Sequence, residues 1–119
     1  MTDAHADPPP LKPAVFHVLL ALADGATHGY AAMRAVREQS NGGITLGTAS
    51  FYRHLAGLIE DGLVAETTRP ADPEDDDPRR GAYYRLTPRG RRVLAAERNR
   101  LAALVAAIDA LKPARRGPA

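Results

Sequence analysis

The 119-residue sequence contains no cysteine and no tryptophan, and its only aromatic residues are two phenylalanines and four tyrosines. Without cysteine, the chain has neither a disulfide framework nor thiolate chemistry. No apolar run reaches the roughly 20 residues that a membrane-spanning helix needs. The acidic, proline-rich start lacks the basic and apolar segments of a secretory signal. We therefore expect a cytoplasmic protein, not a membrane protein, with one small domain and a modest core.

Motifs for catalysis and for metal or cofactor binding are also missing. His5, His17, His28 and His54 form no pair with metal-ligand spacing. The sequence has no phosphate-binding glycine loop, nucleophile elbow or CxxC pair. Most of its clustered carboxylates lie in the proline-rich stretch 70–81, a poor frame for a tuned acid–base pair. These absences predict a protein that is not an enzyme and that uses no metal or cofactor.

Charge is divided unevenly along the chain. Residues 1–78 carry 5 basic and 12 acidic side chains, a net charge of −7, whereas residues 79–119 carry 11 basic and 2 acidic side chains, a net charge of +9. A basic region of this kind is typical of a surface that binds a polyanion. On charge alone, a solvated basic helix explains it equally well.

Apolar residues at helical spacing predict three short helices, each followed by a glycine-containing turn. The first begins at about Leu11. The second covers residues 27–39 with Thr27 as its N-cap, and the third covers residues 48–61 with Thr48 as its N-cap. The predicted stripes are Val15, Val18, Leu19 and Leu22 in the first helix, Tyr30, Met33, Val36 and, at its edge, Arg37 in the second, and Phe51, Leu55, Leu58 and Ile59 in the third.

The second half of the chain predicts a β-hairpin followed by a long helix. Strands over residues 63–69 and 82–87 enclose the loop 70–81, which holds three prolines and five acidic residues. Thr87 as N-cap and Pro88 at the first helical position are typical of a helix N-terminus.

The last helix runs to about residue 111, where Pro113 follows. Its apolar side chains form a short seam of the kind that pairs helices. Left unpaired, this seam would expose an apolar patch, so we expect a homodimer. The residues of this predicted dimer interface are Leu94, Leu101, Leu104, Ile108 and Leu111.

The order of these elements predicts a mainly α fold with a small β-hairpin, namely a winged helix-turn-helix with a long C-terminal dimerisation helix. The predicted divisions are a disordered arm over residues 1–10, a DNA-binding domain over 11–88, a dimerisation helix over 89–111 and a flexible basic tail over 112–119.

The third helix is the candidate recognition helix. Its outward face carries Ser50 and Arg53, and its flanks carry Thr48, Tyr52 and His54; we predict that these five residues contact DNA. Small polar groups and arginine suit contacts with base edges and phosphates in the major groove. Taken alone, this helix is better explained as an ordinary amphipathic helix in a small bundle.

The hairpin loop is the candidate wing. Arg79 and Arg80, at its far end, suit a narrow minor groove, whereas the acidic residues between Asp72 and Asp77 would repel phosphate. The acidic run is explained either as a solvated loop or as an element that tunes affinity or touches a basic surface.

Several segments together resemble the PadR family of transcriptional regulators, and the resemblance covers about residues 11–111. It rests on His28-Gly29-Tyr30, on the third-helix start Gly47-Thr48-Ala49-Ser50-Phe51-Tyr52-Arg53, on the exit Gly62-Leu63-Val64 and on Tyr83-Tyr84-Arg85-Leu86-Thr87 before Gly90.

The resemblance implies a homodimeric repressor that pairs through its C-terminal helix, binds a palindromic double-stranded DNA operator and is released by a small-molecule effector or signal. It implies DNA contacts at Thr48, Ser50, Tyr52, Arg53, Arg79 and Arg80, and it matches Tyr30 to a family tyrosine that packs or contacts phosphate. Because tryptophan is absent, binding of flat drugs between tryptophans does not carry over. The alternative is a winged helix used for protein contact, or for ligand sensing with secondary DNA binding.

Overall fold

The computed structural model describes residues 10–67 and 82–111. Four helices and three strands follow one another in that part of the chain, and none of these helices is long and apolar enough to cross a membrane. The elements are α1 (Pro13–Ala21), β1 (Thr27–His28), α2 (Gly29–Gln39), α3 (Thr48–Glu60), β2 (Val64–Thr67), β3 (Tyr83–Leu86) and α4 (Pro88–Asp109). The mainly α winged helix-turn-helix with a long last helix is confirmed.

One core lies between α1, α2, α3 and the sheet, because each element buries one apolar face against the others. The predicted stripes of α1 and α3 largely supply it, although Ile59 is 38% exposed and so lies outside it. The buried residues of this core are Val18, Leu19, Leu22, Ala32, Val36, Phe51, Leu55, Leu58, Leu63, Val64 and Leu86.

The prediction for α2 is right for Val36, which is buried, and for Met33, which packs against the core, but wrong for Tyr30 and Arg37. The buried residues of α2 are Gly29, Ala32 and Val36, whereas Tyr30 is 64% exposed and Arg37 is exposed. Glycine and alanine allow neighbouring elements to approach α2 closely, and this packing turns the larger tyrosine outward.

The sheet has a third strand that the sequence did not predict. β2 and β3 form the expected antiparallel hairpin, and β1 pairs with the other edge of β3, with Thr27 opposite Tyr84 and His28 opposite Tyr83. Two residues are too few to show strand periodicity, so this edge strand depends on its partner.

Two of the predicted helix caps are wrong. Thr27 lies in β1, and His28 caps α2 instead, since its Nδ1 accepts a hydrogen bond from the Ala31 amide at 3.2 Å. Gly47 occupies the N-cap of α3 with extended backbone, and Thr48 is the first helical residue. The Thr48 hydroxyl therefore does not cap its own helix and lies exposed at the start of α3.

The start of α4 is joined to the turn that follows α3. The predicted N-cap is confirmed, because Thr87 Oγ1 accepts a hydrogen bond from the Gly90 amide at 3.0 Å. The same hydroxyl donates to the Gly62 carbonyl at 2.6 Å, and the Thr87 amide donates to the Leu63 carbonyl at 3.0 Å. Gly62, with φ +79°, makes the left-handed turn that places these carbonyls beside α4.

A buried carboxylate fixes the beginning of the described chain to α4. Glu97 is 6% exposed; its Oε2 accepts a hydrogen bond from Arg100 at 2.6 Å, and its Oε1 accepts one from the Leu11 amide at 3.4 Å. The hydrogen bond from Arg100 lowers the pKa of Glu97 despite its burial. The contact therefore stabilises the fold while Glu97 is ionised and loses this effect as the pH falls through the lowered pKa.

Replacement of Gly90 by alanine tests the junction between α3 and α4. A Cβ at this position would overlap the Leu63 carbonyl oxygen, which is backbone and cannot move aside easily. We expect Gly90→Ala to lower the free energy of unfolding by about 1–3 kcal/mol, measured by urea denaturation.

Gly57→Ala is the matched control, because it lies in α3 and a Cβ there meets no atom within 4 Å. This variant should keep or raise stability, by up to about 1 kcal/mol. Equal stabilities for the two variants would contradict the close approach at Gly90.

Candidate nucleic-acid interface

The outward face of α3 presents hydroxyl and guanidinium groups near its first turn. Thr48 and Arg53 are exposed and Ser50 is half-buried. Arg53 Nη2 donates a long hydrogen bond of 3.4 Å to Ser50 Oγ. Because this contact is exposed and weak, the guanidinium is available to a base edge or a phosphate.

Tyr52 connects α3 to the first residue of α2. Its ring meets the Phe51 ring edge-on with 5.1 Å between centroids, and its hydroxyl lies against Gly29, where any Cβ would overlap it. The Tyr52 side chain is still 40% exposed. Tyr52 therefore packs α3 against α2 while part of its side chain stays exposed to solvent.

Tyr84, in β3, lies near Tyr52 and so brings the sheet next to α3. Burial, then the Glu66 carboxylate and Tyr52, raise the pKa of its phenol. The phenol therefore stays protonated near neutral pH and remains a hydrogen-bond donor.

The outer face of α2 adds two basic residues, Arg34 and Arg37, that are not among the predicted site residues. Tyr30 is exposed, and the Arg34 guanidinium carbon lies 5.6 Å from the centroid of its ring. Arg37 lies one turn further on, and together they border a cleft of about 190 Å³. Residues 30, 34 and 37 are three or four positions apart and therefore lie on one face of a helix. This spacing in the sequence could have identified Arg34 and Arg37 as site residues. The cleft is lined by Tyr30, Met33, Arg34, Arg37, Thr45 and Leu46.

His54 lies apart from the other predicted DNA contacts. It is half-buried and lines a separate groove of about 420 Å³ between α1, α3 and α4. The lining of the groove is mostly apolar and includes the charged residues Lys12, Asp61 and Arg89. Its lining residues are Pro10, Leu11, Lys12, Val15, His54, Asp61, Leu63, Arg89 and Val93.

The predicted wing contacts, Arg79 and Arg80, lie outside the described residues, as do residues 1–9, 68–81 and 112–119. Over residues 10–67 and 82–111, no three His, Asp or Glu side chains are grouped so that they could hold a metal ion.

Solved structures of regulators resemble this chain. A transcriptional regulator from Clostridium thermocellum superposes with a TM-score of 0.63 at 19% identity, over 81% of this chain and 86% of its own. RosR of H. salinarum gives 0.60 at 23% identity, over 91% and 86%. BpsR of Bordetella bronchiseptica, whose DNA binding is regulated by 6-hydroxynicotinic acid, gives 0.62 at 26% identity, over 94% and 77%. The first two likenesses show the fold alone.

The sequence profile of the transcriptional regulator PadR-like family matches residues 18–96, more than half of the chain. Among curated proteins, no sequence matches. The matched range contains the helix-turn-helix, the sheet and the first part of α4. The chain therefore belongs to the PadR-like family of transcriptional regulators, and it is a DNA-binding regulator and not an enzyme.

Proposed function

We propose that this regulator is a repressor that binds a palindromic operator as a homodimer and is released by a small effector. The observation that carries the proposal is the outward face of α3, where Thr48, Ser50 and Arg53 stand beside the exposed edge of Tyr52. A recognition helix needs such a face, since its amino-terminal residues contact base edges in the major groove. The wing arginines Arg79 and Arg80 belong to the same proposal.

Pairing of two copies is supported by the last turns of α4. Ile108 is 64% exposed and Leu111 is 71% exposed, and Leu104 lies on the same side of the helix. By contrast, Leu94 is half-buried and packs against the core of its own chain. We therefore assign the main part of the interface to the end of α4, with Leu101 at its border.

Two-fold pairing explains how a palindrome is recognised. Two recognition helices related by a two-fold axis enter successive major grooves roughly 34 Å apart, so each half-site meets the same residues. Occupation of promoter DNA then blocks transcription.

Release by a small effector requires that the effector bind one spacing of the recognition helices better than another. The groove beside His54 supports this step, because its volume falls within the roughly 300–1,000 Å³ of small-molecule sites and it touches both α3 and α4. Regulation of DNA binding by an aromatic acid in the similar regulator BpsR gives further support.

Selection of bound sequences from random DNA tests the proposed function. We expect enrichment of an inverted repeat with half-sites about one helical turn apart, and a matching sequence in the promoter of a regulated gene. Binding without any enriched sequence would favour a non-specific DNA-binding role instead. Absence of any DNA binding at low salt would favour the protein-contact alternative.

Arg53→Ala tests the reading of bases by α3. We expect it to weaken binding to the selected operator by about 1–3 kcal/mol and to relax the preference at one base position. The thermal midpoint should not change, because the side chain is exposed and makes one weak hydrogen bond. Arg98→Ala, which removes an exposed arginine of α4 outside the α3 face, is the control and should leave the base preference unchanged. An equal loss of affinity on all sequences would show that Arg53 contacts phosphate only.

The homodimer is tested by light scattering, which should give about twice the chain mass of 12.7 kDa. Introducing a charge with Ile108→Asp should shift the mass toward the monomer and weaken operator binding, because a buried unpaired charge destabilises an interface. Ala106→Asp places the same charge on the opposite, exposed side of α4 and should leave the dimer intact. A monomeric wild-type protein at micromolar concentration would contradict the proposal.

A further inference from the structure

We propose that the cleft on the outer face of α2 binds one phosphodiester group of the DNA backbone through Arg34 and Arg37. The inference rests on the DNA-binding role proposed above and adds residues that neither the sequence pattern nor the family resemblance selected as site residues. Under this inference, α2 contributes affinity for DNA of any sequence, whereas α3 makes the contacts that distinguish one base from another.

The chemistry of the cleft suits a phosphate oxygen. Arg34 and Arg37 supply guanidinium donors and Thr45 supplies a hydroxyl, while Tyr30 adds a phenol and an aromatic face. Guanidinium groups bind phosphate through paired, charge-assisted hydrogen bonds. The stacking of Arg34 on the Tyr30 ring, at 5.6 Å, limits the orientations of its side chain before any ligand arrives.

Neither arginine is needed by the fold. Arg34 and Arg37 are exposed, and within the described residues neither guanidinium forms a hydrogen bond or an ion pair with a protein group. Glu38 follows them on α2 but forms no ion pair with either of them there. Two cations three residues apart on one helix, neither of them paired with an anionic group, repel each other, and an anion bound between them offsets that repulsion.

The position of the cleft matches the course of a DNA strand. Thr45 and Leu46 form one of its walls and immediately precede Gly47 and Thr48, the cap and first residue of α3. When the amino end of a recognition helix enters the major groove, the preceding helix crosses the sugar–phosphate backbone. A strand at the border of that groove therefore passes over α2 at this cleft.

The size of the cleft favours a phosphodiester over an effector. Its volume of about 190 Å³ equals about six water molecules, which accommodates a phosphate group with part of a sugar. Sites for drug-sized ligands are larger, roughly 300–1,000 Å³. The groove beside His54 has that larger size, so of these two concave sites we assign the cleft to the DNA backbone and the groove to the effector.

The test measures how the affinity for a short random-sequence DNA duplex depends on salt. Affinity falls as the salt concentration rises, so the slope of log affinity against log salt is negative. Removing both positive charges with Arg34→Gln and Arg37→Gln should reduce the magnitude of this slope by about 1–2. The affinity loss should be the same on random DNA and on the selected operator. The paired change to lysine keeps both charges and should retain most of the slope. Arg98→Gln, which removes one exposed arginine of α4, should reduce the magnitude of the slope less than the paired glutamine change does.

The outcomes separate this inference from the proposed function. If the wild type binds DNA but the glutamine variant keeps the wild-type slope, the cleft does not hold phosphate and the inference is wrong. The same follows if the variant loses affinity for one DNA sequence only. If the wild type itself binds no DNA at low salt, the proposed function fails first. Thermal unfolding of the variants should match the wild type, since both side chains are exposed.

Discussion

The rest of the structure depends on the close approach of α4 to the turn that ends α3. Gly90 has no side chain, so its backbone can lie against the Leu63 carbonyl. Thr87 binds the carbonyls of both Gly62 and Leu63 while it caps α4. These contacts join backbone groups to one another and to the short Thr87 side chain, and they tolerate little displacement. The direction of α4 relative to α3 is therefore set by backbone groups and the Thr87 hydroxyl, and not by long flexible side chains.

Helix α3 is held near both of its ends as a consequence. The junction with α4 fixes its carboxyl end, and the contact of Tyr52 with Gly29 fixes its amino half against α2. If two copies pair through the end of α4, any change in the angle between the two α4 helices moves the two α3 helices apart or together. Under the proposed function, an effector bound beside α4 would therefore change the spacing of the two α3 helices.

The sequence predicted those features that depend on many residues acting together. The stripes of α1 and α3 and the hairpin are repeated signals, and Thr87-Pro88 is a local signal made of two residue types that are favoured at a helix start. The sequence did not predict β1, which has two residues and pairs with a strand distant in the chain, or the cap at Gly47, which makes no side-chain capping hydrogen bond. The exposure of Tyr30 was not predicted for another reason: the buried face of α2 combines the small residues Gly29 and Ala32 with Val36, and a count of apolar residues alone does not favour glycine over tyrosine.

The distribution of charge shows why a sum over the sequence is a poor guide to the DNA surface. The first 78 residues are net acidic, yet they contain α3 and the two arginines of the α2 cleft, whereas the basic excess follows residue 78. Exposed charges more than about 8 Å apart are largely screened at physiological salt. Under the proposal, a phosphate at the cleft would respond mainly to Arg34, Arg37 and the neighbouring Glu38, and little to carboxylates more distant than that. Where DNA binds would then depend on the local placement of charges on α2 and α3, and not on the net charge of a region of the sequence.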